Sequence, residues 1–157
     1  MKKIAIIEPV GGHGGMNFYD HGLAAGVSGA GHAVMLYTSD ETDDLAGAEF
    51  DIVKSFRGIW GKSPAVIRGA RFVACLFRTR AGARSNRCDL VHYHFFHFTL
   101  LELLCVVAAR LFGFEVVITV HDVESFTGKG GSKRIDQVLA RAHGVIVHNE
   151  VSLDALL

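Results

Sequence analysis

The chain has few of the residues that mark disulfide-bonded or zinc-bound proteins. Only three cysteines and two prolines occur among its 157 residues. Cys75, Cys88 and Cys105 are widely spaced and form no Cys-x-x-Cys pair, so the sequence supports neither a disulfide framework nor a zinc knuckle. A reducing cytoplasm is the simplest setting for such a protein. A chain of this length can bury a core as one domain without covalent cross-links.

Acidic residues are missing from a long stretch in the middle of the chain. No Asp or Glu occurs between Asp51 and Asp89, whereas that stretch holds nine of the sixteen Lys and Arg residues. The formal net charge is zero, and residues 40–51, directly before the basic stretch, are rich in Asp and Glu. The charge is therefore unevenly distributed along the chain, with one strongly basic segment.

A helix predicted over residues 64–81 lies in this basic segment. Val66, Ala70, Val73 and Phe77 recur at helical spacing and form the face that we expect to pack on a sheet. Basic and aromatic residues on the rest of the helix are typical of docking on an anionic membrane. The alternatives are a solvated basic face or a nucleic-acid patch, and the second lacks a stacking platform. The candidate docking residues are Arg68, Arg71, Phe72, Leu76, Arg78 and Arg80.

No apolar run is well suited to crossing a membrane. Residues 95–114 approach the length of about 20 residues that a spanning helix needs. Glu102 and Arg110 would then lie deep in the hydrocarbon, which is costly. A buried helix between two strands explains this stretch better.

Strand-like and helix-like segments alternate along the chain. The predicted strands are 4–8, 32–38, 51–56, 89–94, 115–121 and 144–148, and the predicted helices are 17–28, 64–81, 99–112, 133–142 and a last one beginning at 151. This alternation is typical of an α/β fold. We expect a Rossmann-like, doubly wound and mainly parallel sheet of six or more strands, with helices on both faces, in a single domain over residues 1–157.

The fifth predicted strand is a β-branched run that ends in His121 and Asp122. Such a run indicates a strand buried on both faces of a parallel sheet. Ligands of open parallel sheets bind beyond the carboxyl ends of the strands, which makes this pair a candidate for chemistry.

A glycine-rich loop, residues 11–15, follows the first predicted strand and precedes a helix. Small residues at that position let backbone N–H groups approach a phosphate, and four glycines in five residues favour this interpretation over the alternative, a tight turn, which needs only one or two. The dinucleotide-binding fingerprint fails because Asn17 stands where its third glycine should be. A P-loop fails because Phe56 replaces the glycine required upstream of Lys62.

Histidines recur at and after the last three predicted strands: His92, His94, His97, His121 and His148. Imidazoles at strand ends can bind zinc or iron, but no carboxylate or cysteine stands at matching spacing, so we expect buried structural histidines and no metal. A Ser-His-Asp mechanism is weakly supported, because the chain has no Gly-x-Ser-x-Gly motif.

Four short motifs in order resemble the family 4 glycosyltransferases. The first combines Gly14-Gly15-Met16 with an apolar helix and Gly31-His32-Ala33-Val34. The others are Asp89-Leu90-Val91-His92-Tyr93-His94, Thr119-Val120-His121-Asp122, and Ala142-His143-Gly144-Val145-Ile146-Val147, and together the motifs span nearly the whole chain. The family has the GT-B architecture, in which two Rossmann-like domains face a cleft, and transfers sugar from an activated donor with retention at the anomeric carbon.

The resemblance implies that this chain is the N-terminal, acceptor-side domain and that a C-terminal donor domain belongs to the parent protein. It assigns the donor phosphate to Gly14 and Gly15, and the transferred sugar to His121. Asn17 departs from the family, in which many members have Glu. The candidate acceptor or cleft residues are His13, Asn17, His94, His97 and Asp122.

The expected function is therefore transfer of a sugar from a nucleotide-sugar donor to a lipid-linked or carbohydrate acceptor, in the synthesis of a bacterial surface polysaccharide or glycolipid. The expected location is the cytoplasm, peripherally on the inner face of the membrane. We expect no cofactor and no nucleic-acid partner. The alternative function is a non-catalytic nucleotide- or phosphate-binding Rossmann-like module.

Overall fold

The computed structural model describes residues 1–121, 132–154 and 156, and these residues form two compact units, Met1–Asp89 and Leu90–Leu157. The first unit contains β1 (Lys3–Glu8), α1 (Met16–Gly29), β2 (Ala33–Ser39), β3 (Asp51–Phe56) and α2 (Ala65–Ser85). The second contains β4 (Leu90–Phe95), α3 (Leu100–Leu111), β5 (Glu115–Val120), α4 (Ser132–Leu139), β6 (Gly144–Val147) and α5 (Glu150–Asp154). The predicted α/β alternation is confirmed, with boundaries within a few residues of those expected.

The first unit has three parallel strands in the order β3-β2-β1. Successive side chains of a strand point to opposite faces, and β2 shows both environments. Leu36 packs with Ala24 of α1, whereas the next residue, Tyr37, contacts Gly82 of α2 and accepts a hydrogen bond from Asn86. The two helices therefore cover opposite faces of these strands, as in a doubly wound fold.

The second unit has three parallel strands in the order β4-β5-β6. Helix α3 begins at a capping box, in which Thr99 accepts from the N–H of Leu101 and Glu102 accepts from the N–H of Thr99. The hydroxyl of Tyr93 in β4 donates to the carbonyl of Cys105, which puts α3 on the Tyr93 face of the strands. His92 and His94 point to the other face.

The predicted packing face of α2 is wrong. Val66 is 84% exposed and Phe77 is 62% exposed, and Ala70 and Val73 are exposed as well. The residues of α2 that are buried are Cys75, Leu76, Thr79, Arg80 and Ala83. The helix therefore packs through the face that carries Leu76 and Ala83 and leaves the predicted stripe exposed. None of the described helices is long and apolar enough to cross a membrane.

Candidate functional site

The four glycines of the loop after β1 fall into two pairs with different environments. A Cβ at Gly11 would collide with the side chains of Ser39 and Thr42, and a Cβ at Gly12 would collide with the carbonyl of Glu41. Gly14 and Gly15 have positive φ values of 59° and 82° and nothing within 4 Å of a Cβ position. The first pair therefore permits close packing on the loop after β2, and the second pair leaves open space before α1.

Glu8 fixes the start of this loop. It is fully buried at the end of β1, and its Oε1 accepts a hydrogen bond from the backbone N–H of Val10. The loop after β2 is fixed in a similar way, because Thr38 and Thr42 join their hydroxyls at 2.6 Å and Ser39 Oγ accepts from the N–H of Glu41. Two rigid turns therefore stand side by side at the carboxyl ends of β1 and β2.

His13 projects from the glycine loop toward the two neighbouring turns. Its Nε2 lies 2.6 Å from Oε2 of Glu41, and its ring makes an edge contact with the indole of Trp60, with 4.8 Å between centroids. Asn17 is predicted from the sequence to contact the acceptor substrate. Its side-chain amide instead donates to Asp43 at 2.9 Å and accepts from the backbone N–H of Asp43. Its amide thus holds the loop after β2 against the start of α1.

Two of the predicted membrane-docking residues hold a loop instead. Arg68 donates to the carbonyl of Gly61 at 3.1 Å, and Arg71 donates to the carbonyl of Gly58 at 3.0 Å. Three others of the predicted set face inward. Leu76 is 4% and Arg80 is 6% exposed, and Phe72 is half-buried against Phe56. Arg78 alone of the six is exposed with no contact of these kinds described for it, so the docking surface drawn from the sequence is wrong in its composition.

The register of the second unit brings four rings to one face at the carboxyl ends of its strands: those of His94, Phe96, His121 and His148. His94 pairs with Thr119 across β4 and β5, and Thr119 pairs with Ile146 across β5 and β6. Two residues further along each strand, Phe96, His121 and His148 therefore emerge on the same face. Phe96 stacks on His121 at 4.6 Å between centroids, and His121 Nδ1 lies 3.2 Å from His148 Nε2.

His92 and His94 extend this imidazole cluster into the buried part of the sheet. The rings of His92 and His94 are 4.9 Å apart, and those of His94 and His121 are 5.1 Å apart. His92 Nε2 lies 2.7 Å from the hydroxyl of Thr119, so this histidine is a satisfied core residue. Burial first, and the imidazoles of His94 and His121 second, lower the pKa of His92 to about 3.

The same causes keep His121 neutral at pH 7. Burial, then the neighbouring imidazoles of His94 and His148, lower the pKa of His121 to about 4. A neutral imidazole at a strand end can offer a lone pair or an N–H to a ligand without repelling a positively charged transition state. This arrangement suits a hydrogen bond to a sugar better than proton donation at neutral pH.

Two predicted site residues remain, His97 and Asp122. His97 is exposed in the turn between β4 and α3. Asp122 lies outside the described residues. Three residues of the two clusters, Trp60, Glu41 and His148, were not predicted as site residues from the sequence. A signal for Trp60 was present, since it is the only tryptophan and stands between Gly58 and Gly61 soon after a predicted strand.

Comparison with known proteins identifies the family and the fold of the chain. The sequence pattern that defines Glycosyltransferase Family 4 matches residues 13–157. Among solved structures, the chain is similar to MurG of Acinetobacter baumannii, with a TM-score of 0.59 and 18% sequence identity. That match covers 94% of this chain and 41% of MurG, so this chain spans about two fifths of the length of that protein. No curated protein matches the sequence.

At this level of identity the likeness to MurG shows the fold alone, whereas the family pattern covers almost the whole chain. The chain therefore belongs to glycosyltransferase family 4 and has the fold of the N-terminal Rossmann-like domain of GT-B enzymes.

Proposed function

We propose that this chain is the acceptor-side half of a retaining glycosyltransferase. The parent enzyme transfers a sugar from a nucleotide-sugar donor to a lipid-linked acceptor, in the synthesis of a bacterial surface polysaccharide or glycolipid. The observation that carries this proposal is the neutral His121 at the end of β5, in a chain that belongs to family 4. As the glycosidic bond breaks, the sugar becomes oxocarbenium-like, and a neutral imidazole beside it is compatible with that charge.

Gly14 and Gly15 supply the complementary role toward the leaving group. The donor phosphate gains negative charge during transfer, and backbone N–H groups at a helix start stabilise such charge without reorganisation. Gly15 is the N-cap of α1 and brings no side-chain cap, and the first turn of α1 carries no acidic side chain. The open space around both glycines supports the approach of a phosphate.

The direct test incubates the full-length parent with a panel of nucleotide sugars and lipid-linked acceptors, and determines the anomeric configuration of the product by NMR. We expect transfer with retention. The 157-residue chain alone should yield no product, because donor contacts come from the other domain. Binding of nucleotides by the parent without any transfer would favour the alternative, a non-catalytic nucleotide-binding module.

The exposed stripe of α2 supports a location at the membrane. The residues that would dock are different from those predicted from the sequence. Val66, Val73 and Phe77 form an exposed apolar stripe, and Arg84 and Arg78 are exposed at its end and side. Apolar side chains flanked by arginines are typical of a helix at the membrane interface, where each Arg contributes on the order of 1 kcal/mol near anionic lipid.

Co-sedimentation of the chain with vesicles should therefore rise with anionic lipid content and fall with salt. Phe77→Ser and Arg78→Glu should each weaken binding severalfold. Arg134→Glu, a charge reversal at an exposed position of α4, is the matched control and should bind as the wild type does. Equal binding of all three variants would rule out this face of α2.

A further inference from the structure

The turn after β3 presents the only tryptophan of the chain in a fixed position. Trp60 Nε1 donates to the carbonyl of Pro9 at 3.2 Å, which ties the indole to the turn after β1. The N–H of Gly58 donates to Asp40 at 3.2 Å, and Arg71 and Arg68 hold the carbonyls of Gly58 and Gly61. An exposed turn with this many anchors is preorganised, so a ligand that contacts the indole would not have to order it first.

Polar groups that suit a ligand stand next to this indole. The rings of His13 and Trp60 are in edge contact at 4.8 Å between centroids, and His13 Nε2 is paired with the carboxylate of Glu41 at 2.6 Å. His13 and Glu41 are exposed, and Trp60 is 37% exposed. The three side chains come from the turns after β1, β2 and β3, at the edge of a parallel sheet where ligands bind.

The chemistry of this group fits a sugar ring. One face of a pyranose is a patch of C–H bonds, which packs on an indole, whose ring buries a large apolar area. The hydroxyls around the ring need donors and acceptors at fixed places, and an imidazole beside a carboxylate supplies both. Glucose-like rings are neutral, which matters here because His13, which contacts the indole, is already paired with the carboxylate of Glu41.

We infer that Trp60, His13 and Glu41 bind a neutral sugar ring of the acceptor. The inference rests on the proposed glycosyl transfer and makes it narrower: the acceptor already carries a sugar at its reactive end, rather than ending in a bare lipid phosphate. A phosphate that contacts His13 would have to displace or approach the carboxylate of Glu41, which lies 2.6 Å from His13 Nε2, and like charges at short range repel. Trp60 is a specificity-determining residue in this scheme and takes no part in bond breaking.

Fluorescence of the 157-residue chain tests binding, because all of its tryptophan signal comes from Trp60. Neutral methyl glycosides, titrated to about 50 mM as weak monosaccharide ligands require, should give a saturable change in intensity or wavelength. Inorganic phosphate, titrated over the same range, should give none. A response to phosphate without a response to any glycoside, or no response to either, would overturn the inference.

Variants locate the binding by ligand-observed NMR, which does not need the tryptophan signal. Saturation transfer to the glycoside should disappear in Trp60→Leu and weaken severalfold in Glu41→Gln, and Trp60→Phe should keep part of it. Phe112→Leu removes an exposed aromatic residue after α3 and is the matched control. Transfer that persists in Trp60→Leu would place the saccharide elsewhere and sink the assignment.

Kinetics of the parent enzyme separate this inference from the proposed function. Trp60→Leu should raise the acceptor KM at least tenfold, whereas the control variant Phe112→Leu should leave it unchanged. An active parent whose acceptor KM is unaffected by Trp60→Leu would overturn the inference and leave glycosyl transfer intact. A parent that transfers no sugar at all would overturn the proposed function, and the NMR result would still decide whether Trp60 binds saccharides.

Discussion

The two clusters at strand ends, one in each unit, occupy the same position in the fold but differ in their solvation. The cluster of His13, Glu41 and Trp60 is exposed, and its histidine is paired with a carboxylate. In the cluster around His121, His94 is buried, His121 and Phe96 are half-buried and His148 is exposed, and His121 contacts each of the other three rings. Solvation and partners therefore decide chemistry more than position in the sheet does: the first cluster suits recognition of a polar ligand, and the second keeps an imidazole neutral.

The largest expected effect concerns His121 in the parent enzyme. His121→Ala should reduce turnover tenfold or more, which corresponds to about 1.4 kcal/mol of barrier. Because the ring stacks on Phe96, alanine also removes packing, and His121→Phe is the better variant for separating the two roles.

Steady-state kinetics and thermal unfolding of both variants check this prediction. His121→Phe should lose the same turnover as His121→Ala while its melting temperature stays near that of the wild type. His97→Ala, in the exposed turn after β4, should change neither quantity. Full turnover in His121→Phe would mean that the His121 cluster has no catalytic role and that the two clusters do not differ in function as expected.

The next effect separates the glycine pairs of the first unit. Gly11→Ala forces a Cβ onto Ser39 and Thr42 and requires a φ of 62°, so it should lower the free energy of unfolding by about 2–3 kcal/mol. Gly14→Ala has a similar φ but open space around it, and should cost only about 1 kcal/mol. Chemical denaturation measures both values.

Donor binding should show the opposite order. In the parent, Gly14→Ala should weaken binding of the nucleotide sugar, because its methyl group occupies space next to the expected phosphate. Gly11→Ala should bind the donor normally at a temperature where it remains folded. Equal stability of the two variants would mean that the loop adjusts and that the two pairs are not distinct.

The last effect is the dependence of stability on pH. The pKa values of His92 and His121 are lowered to about 3 and about 4 in the folded protein, whereas an unperturbed histidine titrates near 6.5. Between these values the unfolded chain binds protons that the folded chain does not, so stability is full above pH 6.5 and falls as the pH decreases toward 4. Each histidine contributes at most about 1.4 kcal/mol per pH unit inside this window.

Urea denaturation at several pH values measures this slope. Replacing His121 by Phe should remove one histidine's share of the slope and leave that of His92, whose pKa is lowered mainly by burial. His97→Gln is the matched control and should keep the wild-type slope. A slope that is unaltered in His121→Phe would mean that water reaches the His121 cluster, so that the two clusters would not differ in solvation.

The sequence was sufficient for the order of elements and for the row of rings in the second unit. A β-branched run predicts β5 as a buried strand. The alternation of His92, His94 and Phe96 puts all three residues on one face of β4. The histidines could therefore be expected at one edge, although the stacking of Phe96 on His121 depends on the turn after β4, for which the sequence has no clear pattern.

The sequence was not sufficient for the orientation of α2 or for the role of its arginines. Apolar residues occur on two faces of this helix, Val66, Val73 and Phe77 on one and Phe72, Leu76 and Ala83 on the other, so hydrophobicity alone does not decide which face is buried. Which stripe faces the strands depends on partners from distant segments, such as Phe56 and Tyr37. For the same reason, the hydrogen bonds of Arg68 and Arg71 to the Trp60 turn could not be read from charge patterning.

The hydrogen bonds of Arg68 and Arg71 link the position of the Trp60 indole to that of α2. The first turns of α2 hold the Trp60 turn through Arg68 and Arg71, and the same helix exposes the Val66–Phe77 stripe to the surroundings. If that stripe rests on a bilayer, α2 lies along the interface, and its hydrogen bonds to the Trp60 turn, rather than a flexible linker, set the height of the indole above the lipid. The enzyme would then act as a ruler, selecting acceptors by how far their terminal sugar stands from the membrane.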